Sequence, residues 1–299
     1  MMTQHPKIGL VLGGGGSRAL AHIGVLKVLV REEIPIDFIV GTSMGGIVGV
    51  LFALGYHPAE IGQGVSRVQQ TSLFNFKNLT ARSRQQRVRD NLAEILAGKT
   101  FADLSLPVTL MAVDMCHGQE VMLNQGELIP ALLASSAVPG AFPPVNINGM
   151  ELADGGVLDS LATHVAFKQG AEKVIAVDVY PELEKDNPWV DPLNGILGLD
   201  LTANLFAGTG NGKKPPSLPA ALWRSVRVIT WHLHEQRLVL DPPDILMRPD
   251  VDSFASLDFR EIDVPIQAGV EEAERHLAGL RALAGDRRLA YDFEITLEY

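Results

Sequence analysis

Two short stretches of this sequence have residue types and spacings suited to chemistry. Gly41-Thr42-Ser43-Met44-Gly45 fits the pattern G-x-S-x-G. In that pattern a serine sits on a sharp turn between a strand and a helix, and the flanking glycines let the two elements pass closely. The hydroxyl is pushed out at the helix N-terminus, where backbone N–H groups face any developing anion, the Met44 N–H first among them. The second stretch is Gly13-Gly14-Gly15-Gly16-Ser17-Arg18. Backbone without side chains can turn several N–H donors toward one point, as an oxyanion hole does.

The glycine run also admits other readings. Gly14-x-Gly16-x-x-Ala19 satisfies a relaxed dinucleotide fingerprint, which wants an acidic residue about 20 positions on, at the end of the second strand. Glu32 and Glu33 precede that strand, Asp37 lies near its start, and its end carries Ser43 instead, so this reading is the weaker one. A phosphate-binding loop would need Gly-Lys-Ser/Thr, which does not follow. A serine nucleophile also needs a base. The 8 histidines are scattered, and none sits in a turn beside a strand end. His22 lies on an apolar helix and reads as a satisfied buried residue. Asp154, before Gly155-Gly156 and after a short apolar run, is the better candidate, although Asp-Gly-Gly also serves as a plain hairpin turn.

The elements that must hold these residues follow from hydrophobic patterning. Ile8 to Leu12 and Ile36 to Val40 are short apolar runs of the kind buried on both faces of a sheet. Each leads through a turn into an apolar helix, Ala19 to Val30 and Ile47 to Leu54. Two βα units predict a parallel sheet covered by helices on both sides. Val108 to Val113 and Val174 to Val179 are further strands, and Leu128 to Ala137 is a helix stopped before Pro139. Ile147 to Leu152 reads as a hairpin about Asn148-Gly149 that delivers Asp154. Residues 181 to 222 are rich in proline and glycine and read as a lid-like excursion with a short helix near Ile196 to Phe206. From Ile266 to Ala284 apolar residues step by four and three, predicting one amphipathic helix. The tail from Leu289 to Tyr299 alternates, predicting a half-buried strand whose edge could pair with a second copy.

In order, Gly13 to Arg18, the Gly41 to Gly45 turn and Asp154-Gly155-Gly156 resemble the patatin-like phospholipase family. Leu20-Ala21-His22-Ile23-Gly24-Val25-Leu26 and the segment from Ala134 to Pro144 resemble its small bacterial members. The resemblance covers residues 7 to 180, with a weaker echo from Asp244 to Leu277. It implies a three-layer α/β fold with a mostly parallel central sheet flanked by helices, residues 223 to 299 completing the same domain. It also implies a Ser–Asp dyad, with Ser43 as nucleophile and Asp154 as general base. Gly14, Gly15 and Gly16 are its oxyanion-hole positions, and Arg18 matches the basic residue that follows them. One departure stands out: the family commonly has glycine after that arginine, where this chain has Ala19.

The implied activity is hydrolysis of lipid carboxylic esters through an acyl-enzyme. It calls for no metal or cofactor, and no clustered His, Cys and Asp spacing points to one. The implied partner is a lipid or acyl ester, with transient membrane-surface contact. Arg82, Arg84, Arg87 and Arg89 could meet anionic head groups, but they also suit a solvated helix face. Leu193 to Phe206 could touch a lipid interface or simply pack. A net charge of −10 with no concentrated basic face argues against nucleic acid. The single Cys116, the absence of a basic apolar leader and the lack of any 18-residue apolar run lead to an expectation of cytoplasmic location, peripheral to the inner membrane face. Two other functions stay open on the residues alone. One is a non-catalytic adaptor on the same fold, and the other is a dinucleotide-binding enzyme.

Overall fold

The computed structural model describes residues 6–70, 80–96, 98–183, 218–254, 259, 261–285, 288–289, 291 and 293. Its centre is a sheet of eight strands. These are β1 (Ile8–Leu12), β2 (Phe38–Thr42), β3 (Val108–Asp114), β4 (Gln119–Leu123), β5 (Val145–Ile147), β6 (Met150–Asp154), β7 (Lys173–Val177) and β8 (Ile245–Met247). The order is β5-β6-β3-β2-β1-β7-β8, with β4 paired to β3. From β3 to β8 the pairs are parallel, while β4, β5 and β6 add antiparallel partners. The sheet is therefore mostly parallel, as the two opening βα units require.

Alternation along the strands separates two cores. Leu10, Leu12, Ile39, Ile175 and Val177 face one side, and Val11, Phe38, Val40, Val174 and Ala176 face the other. The first side is covered by α1 (Ala21–Arg31), α2 (Met44–Ala53), α3 (Pro58–Gln70), α4 (Ala81–Leu96) and α5 (Leu128–Ser135). The second is covered by α6 (Thr163–Lys168) and by Leu238 of α7 (Leu218–Leu240). Two further helices, α8 (Asp263–Arg275) and α9 (Leu277–Ala284), close over the first side. Helices on both faces of one sheet make the three layers.

Several sequence expectations need correction. The helix expected from Ala19 opens as a 3-10 turn over Gly16–Leu20 and becomes α-helical only at Ala21. The single helix expected from Ile266 to Ala284 breaks at His276, whose N–H is shared between the carbonyls of Glu272 and Ala273. Residues 218 to 222 belong to α7 and not to an irregular excursion, while residues 184–217, which hold the apolar segment from Leu193 to Phe206, lie outside those described. Of the tail expected as a strand, Leu289, Tyr291 and Phe293 are described, none of them in a strand, and Tyr291 donates to the Ile34 carbonyl; the remaining tail residues lie outside those described. Arg84 is not on a solvated face: it is buried, and its guanidinium donates to the Ala141 carbonyl at 2.7 and 3.0 Å. The Asn148-Gly149 hairpin is present, with both residues at positive φ.

Candidate active site

All the pieces meet at the carboxyl end of β1 and β2. Because β1 and β2 pair in parallel with Leu12 opposite Gly41, the turns that follow them lie side by side. Ser43 leaves β2 at φ 54 and ψ −127, a left-handed conformation that non-glycine residues rarely adopt, and α2 starts at the next residue. Close approach explains the flanking glycines. A Cβ on Gly41 would lie 2.6 Å from the Gly46 Cα, and one on Gly45 would collide with the Leu12 and Gly13 carbonyl oxygens. The turn therefore sits directly on the end of β1.

Asp154 arrives from the other side, at the end of β6. The short hairpin β5–β6 pairs with β3, placing Asp154 opposite Ala112. Its N–H donates to the Ala137 carbonyl at 3.1 Å, and its carboxylate accepts the Gly156 N–H at 2.8 Å. Gly155 must be small, since its Cβ would press on the Met111 backbone at 2.8 Å.

The structure brings Ser43 and Asp154 together at one buried spot, near enough for the Ser43 hydroxyl to act on the Asp154 carboxyl. Ser43 is 8% exposed and Asp154 6%. Burial pushes the Asp154 carboxyl up to about 6, against the opposing pull of the nearby Ser43 hydroxyl and of the hydrogen bond from Gly156. A carboxylate so placed is a better proton acceptor than a solvated one, because its conjugate acid is weaker.

The glycine run lies against Ser43, since a Cβ on Gly14 would be 3.3 Å from the Ser43 Cβ. One of the expected donors is not available. The Gly14 N–H is engaged with the Ser160 carbonyl at 3.0 Å, and the Gly13 N–H with the Val177 carbonyl at 3.1 Å. Gly15 and Gly16 follow these anchored residues, and the Met44 N–H stands at the first position of α2. These three amides are the candidate donors for an anion, because the first N–H groups of a helix have no intrahelical acceptor. Arg18 is buried in the 3-10 turn beyond them.

Three further residues build the site, and residue spacing did not reveal their roles. Ser135, fully buried at the end of α5, accepts the Ser43 N–H at 3.0 Å. Ser160, 4% exposed, holds Gly14 through its hydroxyl as well as its carbonyl, donating to the Gly14 carbonyl at 2.9 Å. His22 is buried with Nε2 at 2.7 Å from the Gly13 carbonyl. Burial holds its pKa down at about 4, so the ring is neutral and Nε2 carries the donated proton. The His22 expectation of a satisfied ring is half right, because Nδ1 has no hydrogen-bond partner among the described residues. Ser135 lies in the segment singled out from Ala134 to Pro144, but nothing in spacing tells which hydroxyl turns inward.

The dinucleotide reading finds no acidic partner. Asp37 sits at the opposite end of β2 and accepts the Ile8 N–H at 2.6 Å, and Glu32 pairs with Arg31 and Arg281. Among the described residues, Glu120, Asp159 and His164 bring ligand-type atoms within 4.8 Å of one another. A cation is already among them: Arg237 Nη1 lies 2.5 Å from Glu120 and 2.9 Å from Asp159. Hydrogen bonds to Asp159 and Glu120 raise the His164 pKa to about 9, so at neutral pH the imidazolium balances the second carboxylate. The group is an ion-pair cluster, and a protonated imidazole offers no lone pair to a metal.

A model of the family described as patatin-like phospholipase matches residues 10–167. The chain is 30% identical over 283 residues to the lysophospholipase NTE1 of Yarrowia lipolytica, covering 92% of this chain and 20% of that protein. It is also 30% identical over 290 residues to that of Coccidioides immitis, covering 93% of this chain and 18% of that protein. The chain thus spans about a fifth of the length of these curated relatives. Among solved structures, VipD from Legionella pneumophila aligns with TM-score 0.46 and 12% identity over 92% of this chain and 67% of that one. The effector ExoU aligns with TM-score 0.41 and 14% identity over 92% and 53%. The family match spans more than half of the sequence and contains the whole Ser43 and Asp154 assembly: this chain belongs to the patatin-like phospholipase family.

Proposed function

We propose that this protein is a serine acyl hydrolase that cleaves lipid carboxylic esters through an acyl-enzyme on Ser43 and Asp154. The observation that carries the reading is the placement of the Ser43 hydroxyl beside the Asp154 carboxyl, both buried against the glycine loop. In the first half-reaction Asp154 takes the Ser43 proton while Oγ attacks the acyl carbonyl. The carbonyl electron pair moves onto oxygen, which the Gly15, Gly16 and Met44 N–H groups receive. Collapse breaks the C–O bond, and the leaving alcohol takes the proton back from Asp154. Water then repeats the sequence on the acyl-enzyme, with Asp154 as base, and releases the fatty acid.

The relatives named lysophospholipases point to single-chain phospholipids within this substrate class. No helix among the described residues is long and apolar enough to cross a membrane. The test is an ester series of graded acyl length, including lysophosphatidylcholine, run with wild type and Ser43→Ala. Turnover by wild type and none above background by Ser43→Ala supports the reading. A correctly folded wild type inert across the series contradicts it and favours a binding role for the fold.

A further inference from the structure

A trans peptide unit is planar, so the C=O of one residue and the N–H of the next point to opposite sides. Whatever holds the Gly14 carbonyl therefore aims the Gly15 N–H. With glycine at both ends of that peptide, its plane can flip at little steric cost. A donor on a freely flipping peptide would have to be ordered during reaction, whereas a useful oxyanion donor is aimed beforehand. Something must hold this peptide.

We infer that Ser160 is a positioning residue whose hydroxyl, by gripping the Gly14 carbonyl, aims the Gly15 N–H at the reacting carbonyl. The grip has two points: Ser160 Oγ donates to the Gly14 carbonyl at 2.9 Å, and the Ser160 carbonyl accepts the Gly14 N–H at 3.0 Å. Both groups are shielded from water, since Ser160 is 4% exposed. Ser160 is itself held in place. The preceding Asp159 donates its N–H to the Gly155 carbonyl at 2.9 Å, and its Oδ1 accepts the Leu161 N–H at 2.9 Å. Its other oxygen bonds Arg237 at 2.9 Å. Asp154 and Ser160 stand on one turn, so the base and the aimed amide share a single rigid support.

This inference rests on the hydrolase reading, and its test separates the two. Wild type, Ser160→Ala and Ser160→Thr are compared on p-nitrophenyl butyrate for kcat and KM, and with an alkyl trifluoromethyl ketone for inhibition. The ketone accepts Ser43 Oγ at its carbonyl carbon, passing the serine proton to Asp154 and leaving an alkoxide in the oxyanion hole. Ser160→Ala should lower kcat by about 10–10²-fold, a part of the loss seen when a whole donor is removed. The ketone should weaken by the same factor while KM stays within about twofold, and Ser160→Thr, which keeps the hydroxyl, should recover most of both. Unchanged kcat and ketone affinity per folded molecule in Ser160→Ala would overturn the inference, even with a lower melting temperature. Equal losses in KM and ketone affinity would overturn it too. Should Ser160→Ala not fold, Ser160→Cys keeps the size with a weak donor; wild-type values there overturn the inference and an intermediate loss supports it. Wild type inert to both ester and ketone would instead overturn the hydrolase reading, and this inference with it.

Discussion

Asp154 is the residue on which proton transfer turns. With its pKa near 6, it is largely ionised at neutral pH yet more basic than a solvated aspartate. The kcat/KM profile should therefore rise with a single proton through pH about 6 and level off above it. A profile already flat at pH 5 would contradict this. The same shift has a consequence for stability. The folded state holds a proton that the unfolded chain has lost between about pH 4 and 6, so this contribution is present at low pH and disappears as pH rises through 6. Asp154→Asn removes the buried charge. It should lower turnover by about 10²–10⁴-fold while melting no lower than wild type at pH 8, its advantage shrinking as pH falls toward 4. Thermal melts at both pH values, alongside ester hydrolysis, check the pair. His22 acts in the opposite sense: its folded pKa is depressed to about 4, so it destabilises the fold as pH drops below about 6.5.

The elements show which parts of the site can be read from spacing and which cannot. The Gly41 to Gly45 turn was legible because its glycines answer to local sterics, with α2 and the end of β1 leaving no room for a methyl. Gly45→Ala, which would drive a Cβ into backbone carbonyls, should cost about 1–3 kcal/mol or more, read as a fall in the urea midpoint. The strands were legible as short apolar runs because a sheet covered on both faces leaves no polar side. Asp154 was legible only as a tight turn, and its role came from the family resemblance. Ser135 and Ser160 were not legible, because their partners lie 92 and 146 positions away. α7 is hard to read from the sequence because Leu222, Val226 and Ile229 are exposed and blur its periodicity. The break at His276 was hidden because Ile266 and Ala273 before it and Leu280 and Ala284 after it all face the same core, so the apolar rhythm runs through the kink.

Across the whole molecule, α7 ties the second face of the sheet to the site. His234 bonds Asp178 at 3.0 Å just beyond β7, and Arg237 pairs with Asp159, one residue before Ser160. Arg237→Ala would leave Glu120 and Asp159 sharing only the His164 imidazolium. The pair is partly buried, so the expected loss lies between about 1 kcal/mol for exposed pairs and about 3–5 kcal/mol for buried ones. Urea denaturation measures it, and an unchanged midpoint would show that the cluster does not hold the turn. Because that turn carries both Asp154 and Ser160, turnover should fall with it.

The central claim is that Ser43 is a nucleophile made reactive by its buried partner. Intact-mass measurement after exposure to a fluorophosphonate, followed by peptide mapping, tests this most directly. The expected result is a single adduct on Ser43 in the wild type, none in Ser43→Ala, and much slower labelling in Asp154→Asn. A folded wild-type protein that stays unlabelled, or carries its adduct on another residue, would contradict it.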